Sequence, residues 1–478
     1  MATSRKNTKP ANKKKDHTVL KAEARAALWM ARHPGITGTP AALTASITQL
    51  GPVTTGTALA GLVTAGLGWW RTAPDSFSRY GAPVLRSASH RWTRYLGPSW
   101  RKTLEACDLT REERRTGKTL IPRVLKVSAP TPSIDVIRVR LVKGQCVRTF
   151  QQAQEELAAS LGADVLGIQK ESPRVITITA VHGNPFDQIV PAVDIPDDPD
   201  DVDLTAIELG DTEYGRAWTE PLVGQHWLIA GATGSGKSSL LWNPLRSLGP
   251  MIRDRLVRVT MIDPKGGMET EQGIPLYYDH ATSADDELTD DDGDTWCPML
   301  AAITRFRDRM KQRQELLRAR GERKFTPGPD TPFEVLFIDE LAMLTAFGTS
   351  ARDINRILAE ILTQGRACGF SVLAYVQEPT KDIVPIRDLF TRRICLRVGS
   401  STFVDLVLGD DARMRGALAD EIPETEDYAG IGYRTDERSR TPMRVRAGHT
   451  TDTDITELVT TCTPHHPADG PHLVPVAA

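Results

Sequence analysis

Gly231-Ala-Thr-Gly-Ser-Gly236-Lys237-Ser238 is the stretch on which the reading of this chain turns. It satisfies GxxxxGK[ST], follows the apolar run Trp227-Leu-Ile-Ala230 and leads into Leu240-Leu241-Trp242, so a strand precedes it and a helix follows. Glycines at this spacing let the backbone curl until successive N–H groups face one point, at a helix N-terminus whose dipole favours negative charge. The spacing predicts a phosphate-binding loop for ATP made by Gly231, Ala232, Thr233, Gly234, Ser235, Gly236, Lys237, Ser238 and Ser239. Lys237 is expected to reach the β and γ phosphates, and the Ser238 hydroxyl to bind Mg2+.

A second segment completes the chemistry. Glu334-Val-Leu-Phe-Ile-Asp339-Glu340 is an apolar strand ending in two acids, about a hundred residues after the loop. It would put Asp339 at the carboxyl edge of a sheet, where it can hold Mg2+, and Glu340 where it can polarise the attacking water. Gln377 follows the run Phe370 to Val376, at a place to sense a γ-phosphate or simply to cap the strand. Arg366 precedes Gly369 and reads either as an arginine for a neighbouring subunit's nucleotide or as a solvated side chain.

Short apolar runs recur around these motifs, at His226 to Ala230, Val257 to Ile262, Phe333 to Ile338, Phe370 to Val376 and Ile394 to Val398. Alternating with helical patterns such as Ile354, Ile357, Leu358, Ile361 and Leu362, they indicate a parallel sheet covered on both faces. Further upstream, Ile134 to Leu141 and Arg174 to Val181 have strand character. Phe150, Ala153, Leu157 and Leu161 share a helical face closed by Gly162, so 119–195 reads as a small α/β domain. Pro196-Asp-Asp-Pro-Asp-Asp201 reads as an acidic linker over 196–204, residues 282–294 as a solvated acidic insertion, and 448–478 as a disordered tail.

Net charge is −2, but it is unevenly spread: residues 1–125 hold 21 Lys and Arg against 7 Asp and Glu. The chain therefore has a basic tail at 1–33 and a basic region at 71–118. Between them, Pro34 to Trp70 contains no charged residue and ends in Trp69-Trp70, which reads as a membrane segment. One span and a hairpin folded near Gly51-Pro52 are both open, as is a buried pair of small-residue helices. Six scattered cysteines without a CxxC pair point to a reducing cytosol. Cys462 with His465 and His466 is not assigned a metal.

Four blocks in this order resemble the FtsK/SpoIIIE DNA translocases, and more closely actinobacterial plasmid and integrative-element transfer proteins of the TraB type. They are Gly231 to Ser239, Ile262-Asp-Pro-Lys-Gly-Gly-Met268, Leu336-Phe-Ile-Asp-Glu-Leu-Ala342, and Leu362-Thr-Gln-Gly-Arg-Ala-Cys-Gly-Phe370 leading to Gln377 and Pro379. The resemblance covers 205–447. It implies an α/β fold containing a RecA-like P-loop ATPase motor of the additional-strand class, with the small α/β domain and the membrane-associated segment before it. It further implies a homo-oligomeric ring, a hexamer, that moves double-stranded DNA with ATP at the cytoplasmic face of the membrane together with other transfer proteins, for conjugative transfer of a plasmid or integrative element or for chromosome segregation. Under it Gln377 becomes a sensor and Arg366 an arginine finger. Position 378 is Glu where the family has Arg, and the tail is too short for the winged-helix domain of several relatives. The basic run Arg305, Arg307, Arg309, Lys311, Arg313, Arg318 and Arg320 is a candidate DNA stripe or a solvated helix face, the latter slightly favoured. A polypeptide-moving secretion ATPase and a nucleotide-dependent membrane scaffold are the competing readings.

Overall fold

A computed structural model describes residues 44–49, 51–113, 116–186, 188–282, 288–289, 295–323, 325–347, 350–435 and 441–464. The expected basic tail, most of the acidic insertion and the terminus from 465 lie outside the described residues. The chain divides into two units, 1–83 and 84–478.

In the first unit a helical stretch over 44–49 is broken at Gly51, whose φ of +83° an L side chain rarely adopts, and helix α1 (Pro52–Thr72) follows with proline in its first turn. Apolar side chains of α1, among them Val53, Leu62, Val63, Leu67 and Trp70, are exposed. Glycines and threonines interrupt them, and among the described residues no helix is long and apolar enough to cross a membrane. Residues 34–43 and 50 of the expected membrane segment are not among those described.

Ahead of the large sheet the second unit holds an antiparallel sheet of β1 (Arg123–Thr131), β2 (Ile134–Arg140), β3 (Val165–Ser172) and β4 (Val175–Val181), in the order β1-β2-β4-β3. Alternation puts Ile137, Val139, Ile176 and Ile178 on one buried face. Three short helices supply the rest of this core: Trp100 and Leu104 from α2 (Pro98–Ala106), Phe150 from α3 (Val147–Gln152) and Leu157 from α4 (Gln154–Leu161). Gly162 ends α4 in the left-handed conformation. Residues 95–109, read from sequence as juxtamembrane, therefore belong partly to this core, because Tyr95, Trp100, Leu104 and Leu109 are apolar groups that bury here.

Among the described residues the large sheet has ten strands: β5 (Ile207–Thr212), β6 (Ala217–Glu220), β7 (Trp227–Ala230), β8 (Val257–Asp263), β9 (Asp279–Thr282), β10 (Phe333–Ile338), β11 (Phe370–Val376), β12 (Arg392–Leu396), β13 (Ile431–Thr435) and β14 (Pro442–Ala447). Their order is β9-β8-β10-β11-β7-β12-β13-β14-β5-β6. The six from β9 to β12 run parallel, and β13, β14, β5 and β6 extend the sheet antiparallel. Strand β11 lies between the strand that ends in the glycine loop and the strand that ends in the two acids, the mark of the additional-strand arrangement.

Helices α6 (Pro298–Arg320) and α7 (Ala351–Gln364) cover one face. Helices α5 (Lys237–Ser247) and α8 (Asp452–Cys462) cover the other. The apolar stripe of α7, Ile354, Ile357, Leu358, Ile361 and Leu362, is wholly buried, each side chain contributing about 1.5–3 kcal/mol.

Helix α8 corrects the expectation of a disordered tail over 448–478 for part of its length. Thr451 and Asp454 cap it reciprocally, and Ile455, Leu458 and Cys462 recur at three and four along one face and bury against residues 249–253 and 271–276. The buried Arg246 fastens it by donating to Asp454 O at 2.6 Å and pairing with Glu457 at 2.9 Å. The stretch just before the acidic linker is docked as well, since Val193 N donates to the buried Asn243 and Arg246 Nε to Val193 O.

Candidate nucleotide site

Strand β7 delivers the loop 231–239 between the ends of β11 and β12, where these neighbouring strands hold its first residues. Gly231 N donates to Val376 O at 3.0 Å and Ala232 N to Arg397 O at 2.7 Å. Gly430 N then donates to Ser235 O at 2.9 Å, and a Cβ on Gly236 (φ +94°) would fall on the Gly430 backbone, so this turn needs glycine. The loop opens directly into α5, which leaves the first N–H groups of the helix aimed at the loop's concavity. Lys237 Nζ donates to Gly231 O at 2.7 Å and Ala232 O at 2.9 Å. Burial lowers its pKa to about 8, with Lys265 adding to the fall and Glu340, Asp339 and Glu269 opposing it.

Every residue of β10 is buried, and Asp339 and Glu340 directly after it are 6% and 5% exposed. The strand registers pair Ile262 with Ile338 and Ile338 with Ala374, so the ends of β8, β10 and β11 line one edge. Glu340 Oε1 accepts the N–H of Gln377 at 3.4 Å, and Gln377 Oε1 accepts from Thr233 Oγ1 at 3.3 Å. Gln377 thus bridges the loop and the second acid. Burial raises the Glu340 pKa, opposed by Lys265, Lys237 and the Gln377 N–H, with Asp339 adding to the rise.

Ser238 is exposed in the first turn of α5, while Glu340 Oε2 is buried without a hydrogen-bond partner. A hydroxyl and a pair of carboxylates are hard oxygen donors of the kind Mg2+ takes, so the donor set fits that ion.

Arg366 lies elsewhere. It sits in a turn before β11 and donates through Nε to Gly224 O at 2.7 Å, where β7 begins. That is about 13 Å, the length of the four-residue strand, from the loop at the other end of β7. Glu378 is exposed beside Gln377.

Two residues given no role from sequence belong to the site. Lys265 Nζ donates to Asp339 Oδ2 at 2.9 Å and stands 3.7 Å from Glu340 Oε2. Arg397 Nη2 donates to Thr233 O at 2.6 Å while its Nη1 pairs with Glu424 at 3.0 Å. The Asp263-Pro-Lys265 block was a signal for the first; no local pattern announces the second.

The basic run of α6 is largely occupied within the chain. Arg305 pairs with buried Asp279, Arg309 with buried Glu334, Lys311 with Glu360 and Arg307 with Asp308. Arg313 is buried, with its guanidinium 5.4 Å from the centre of Phe325 and 5.5 Å from that of Phe370.

The sequence profile of the FtsK/SpoIIIE family matches residues 201–415. The DNA translocase FtsK of Mycobacterium tuberculosis (strain ATCC 25618 / H37Rv) is 28% identical over 251 residues, which is 50% of this chain and 28% of that protein. The DNA translocase SftA of Bacillus subtilis (strain 168) is 31% identical over 199 residues, 38% of this chain and 19% of that one. The match thus spans less than a third of either relative. Among solved structures, the pCW3 conjugation coupling protein TcpA, in monomer form with ATPgS, superposes with a TM-score of 0.46 at 20% identity, covering 76% of this chain and 98% of that one. The cytoplasmic domain of the Thermomonospora curvata type VII secretion ATPase EccC superposes with a TM-score of 0.44 at 23% identity, covering 61% and 34%. The order of the strands, the glycine loop and the acid pair at one sheet edge, and the profile match agree: residues 201–415 are a P-loop ATPase domain of the FtsK/SpoIIIE family.

Proposed function

We propose that this chain is an ATP-driven translocase of double-stranded DNA, tethered to the cytoplasmic face of the cell membrane and serving transfer of a plasmid or integrative element. The observation that carries the reading is the meeting of Lys237, Asp339, Glu340 and Gln377 at one sheet edge within an FtsK/SpoIIIE-family domain. The α5 N-terminus and Lys237 bind the phosphates, and Ser238 and Asp339 hold Mg2+, which neutralises charge on the phosphate oxygens when bound. Glu340 takes a proton from the attacking water as the water oxygen bonds to the γ-phosphorus and the bond from that phosphorus to the bridging oxygen breaks, with ADP leaving. Gln377, hydrogen-bonded to both Glu340 and Thr233, links the state of the phosphates to the end of β11.

Arg366 completes a neighbouring subunit's site in a homo-oligomeric ring, a hexamer; its place at the far sheet edge, away from its own loop, favours action on another subunit. The exposed apolar residues of α1, ending in Trp69 and Trp70, support attachment of residues 34–70 to the bilayer. The test is ATP hydrolysis by the full-length protein with duplex DNA, single-stranded DNA or RNA across a range of salt. Stimulation by duplex alone that fades as salt rises is expected. Equal rates with and without every nucleic acid would sink the translocase reading.

A further inference from the structure

Lys265 is held against the two acids by a loop built for that purpose. The buried carboxylate of Asp263 accepts the N–H of Lys265 at 2.9 Å on one oxygen and the hydroxyl of Thr270 at 3.0 Å on the other. Gly266 and Gly267 follow with φ of +87° and +85°, a left-handed pair that turns the chain back on itself. The result carries the ammonium from the end of β8 to the end of β10, 74 residues later in sequence, where it donates to Asp339 Oδ2 at 2.9 Å. Two carboxylates 6% and 5% exposed need a nearby cation, and Lys237 is committed to the carbonyls of Gly231 and Ala232.

We propose that Lys265 is a tethered cation that competes with the divalent metal for Asp339, so that the metal joins the site only together with nucleotide phosphates. This rests on the ATPase reading of the site and adds a residue to it. A carboxylate oxygen that accepts an ammonium and also ligates a dication would hold like charges about 4 Å apart beside a buried acid, which disfavours both. Triphosphate oxygens supply the negative charge that lets the ammonium leave Asp339 as the metal arrives. Because Met268, two residues beyond Gly266, is 89% exposed, release of Lys265 would move a loop whose tip reaches the surface.

The experiment is calorimetric titration of Mg2+ alone into the full-length protein, as wild type, Lys265→Met and Lys265→Arg. The Met variant is expected to bind Mg2+ at least about tenfold more tightly than wild type, while the Arg variant, which keeps the charge, stays near wild type. Equal affinities of wild type and the Met variant overturn the proposal. Should the Met variant fail to fold, amine acylation of the unaltered chain, read at Lys265 by mass spectrometry, decides. The label should enter severalfold faster once Mg2+ and a non-hydrolysable ATP analogue are both present, and an unchanged rate overturns the proposal. A fluorescent ATP analogue added with Mg2+ separates the two readings: failure to bind wild type defeats the nucleotide site itself. Binding with equal Mg2+ affinities defeats only the role of Lys265.

Discussion

Replacing Glu340 by Gln removes the proposed base and leaves its surroundings in place. The amide oxygen can still accept the N–H of Gln377, now at 3.4 Å, and Lys265 retains Asp339 at 2.9 Å. A positioned base contributes about 10²–10⁴-fold to turnover. At 1.36 kcal/mol per factor of ten the barrier rises by about 3–5 kcal/mol, with nucleotide affinity held by Lys237 and the α5 N-terminus. The pH dependence follows from burial, which lifts the Glu340 carboxyl above its ordinary value of 4.5 against the pull of Lys265, Lys237 and the Gln377 N–H. Turnover needs the ionised form, so it falls as pH drops through that raised pKa, and the Gln variant lacks this acid limb. Phosphate release at saturating Mg·ATP from about pH 5 to 9, paired with equilibrium binding of labelled ATP, measures both effects. A variant turning over within tenfold of wild type, or keeping the same acid limb, would refute the assignment of Glu340.

Glu213 gives a stability prediction. It is buried between the small and large sheets, in a cleft lined by Val165, Thr179, Arg415, Tyr433 and Arg444, and burial lifts its pKa to about 7 against the opposing backbone and charge of Arg444 and the Tyr214 hydroxyl. The folded pKa exceeds the unfolded one, so the contribution is fully present below the ordinary 4.5 and is lost as pH rises through 7. Glu213→Gln should raise stability by roughly 3 kcal/mol at pH 8 and leave it nearly unchanged at pH 4, as read from urea midpoints; identical midpoint shifts at both pH values count against it. Arg366→Ala should leave ATP binding intact and lower turnover about 10³–10⁵-fold. Wild-type activity per subunit should rise with protein concentration while the variant's stays flat, and wild-type turnover in the variant argues for a solvated arginine.

The glycine loop was legible because everything that shapes it is contiguous: an apolar strand, glycines at the turns and a helix start within about a dozen residues. Apolar runs likewise announced β7, β8, β10, β11 and β12, since strands buried on both faces read as continuous Val, Ile and Leu. Gln377 was placed at a strand end, but its bonds to Glu340 and Thr233 join three separate segments and have no trace in local pattern. Helix α8 was overlooked because its polar residues and the Pro-rich stretch after it dominate composition, while its three burying side chains and its cap are a spacing that becomes meaningful only beside residues 249–253 and 271–276.

What the sequence by itself determined is the set of local conformations, the glycine loop between strand and helix among them, because hydrogen bonds and periodicity within a few residues decide them. What only the tertiary structure decided is which side chains meet. Strand order brings Lys265 onto Asp339, sends Arg366 to the opposite edge, and neutralises the cations of α6 with Asp279 and Glu334 from the sheet beneath. The physical reason is that Coulomb and hydrogen-bond energies depend on distance in space, and the order of strands in a sheet is set by burial of whole faces rather than by their order along the chain.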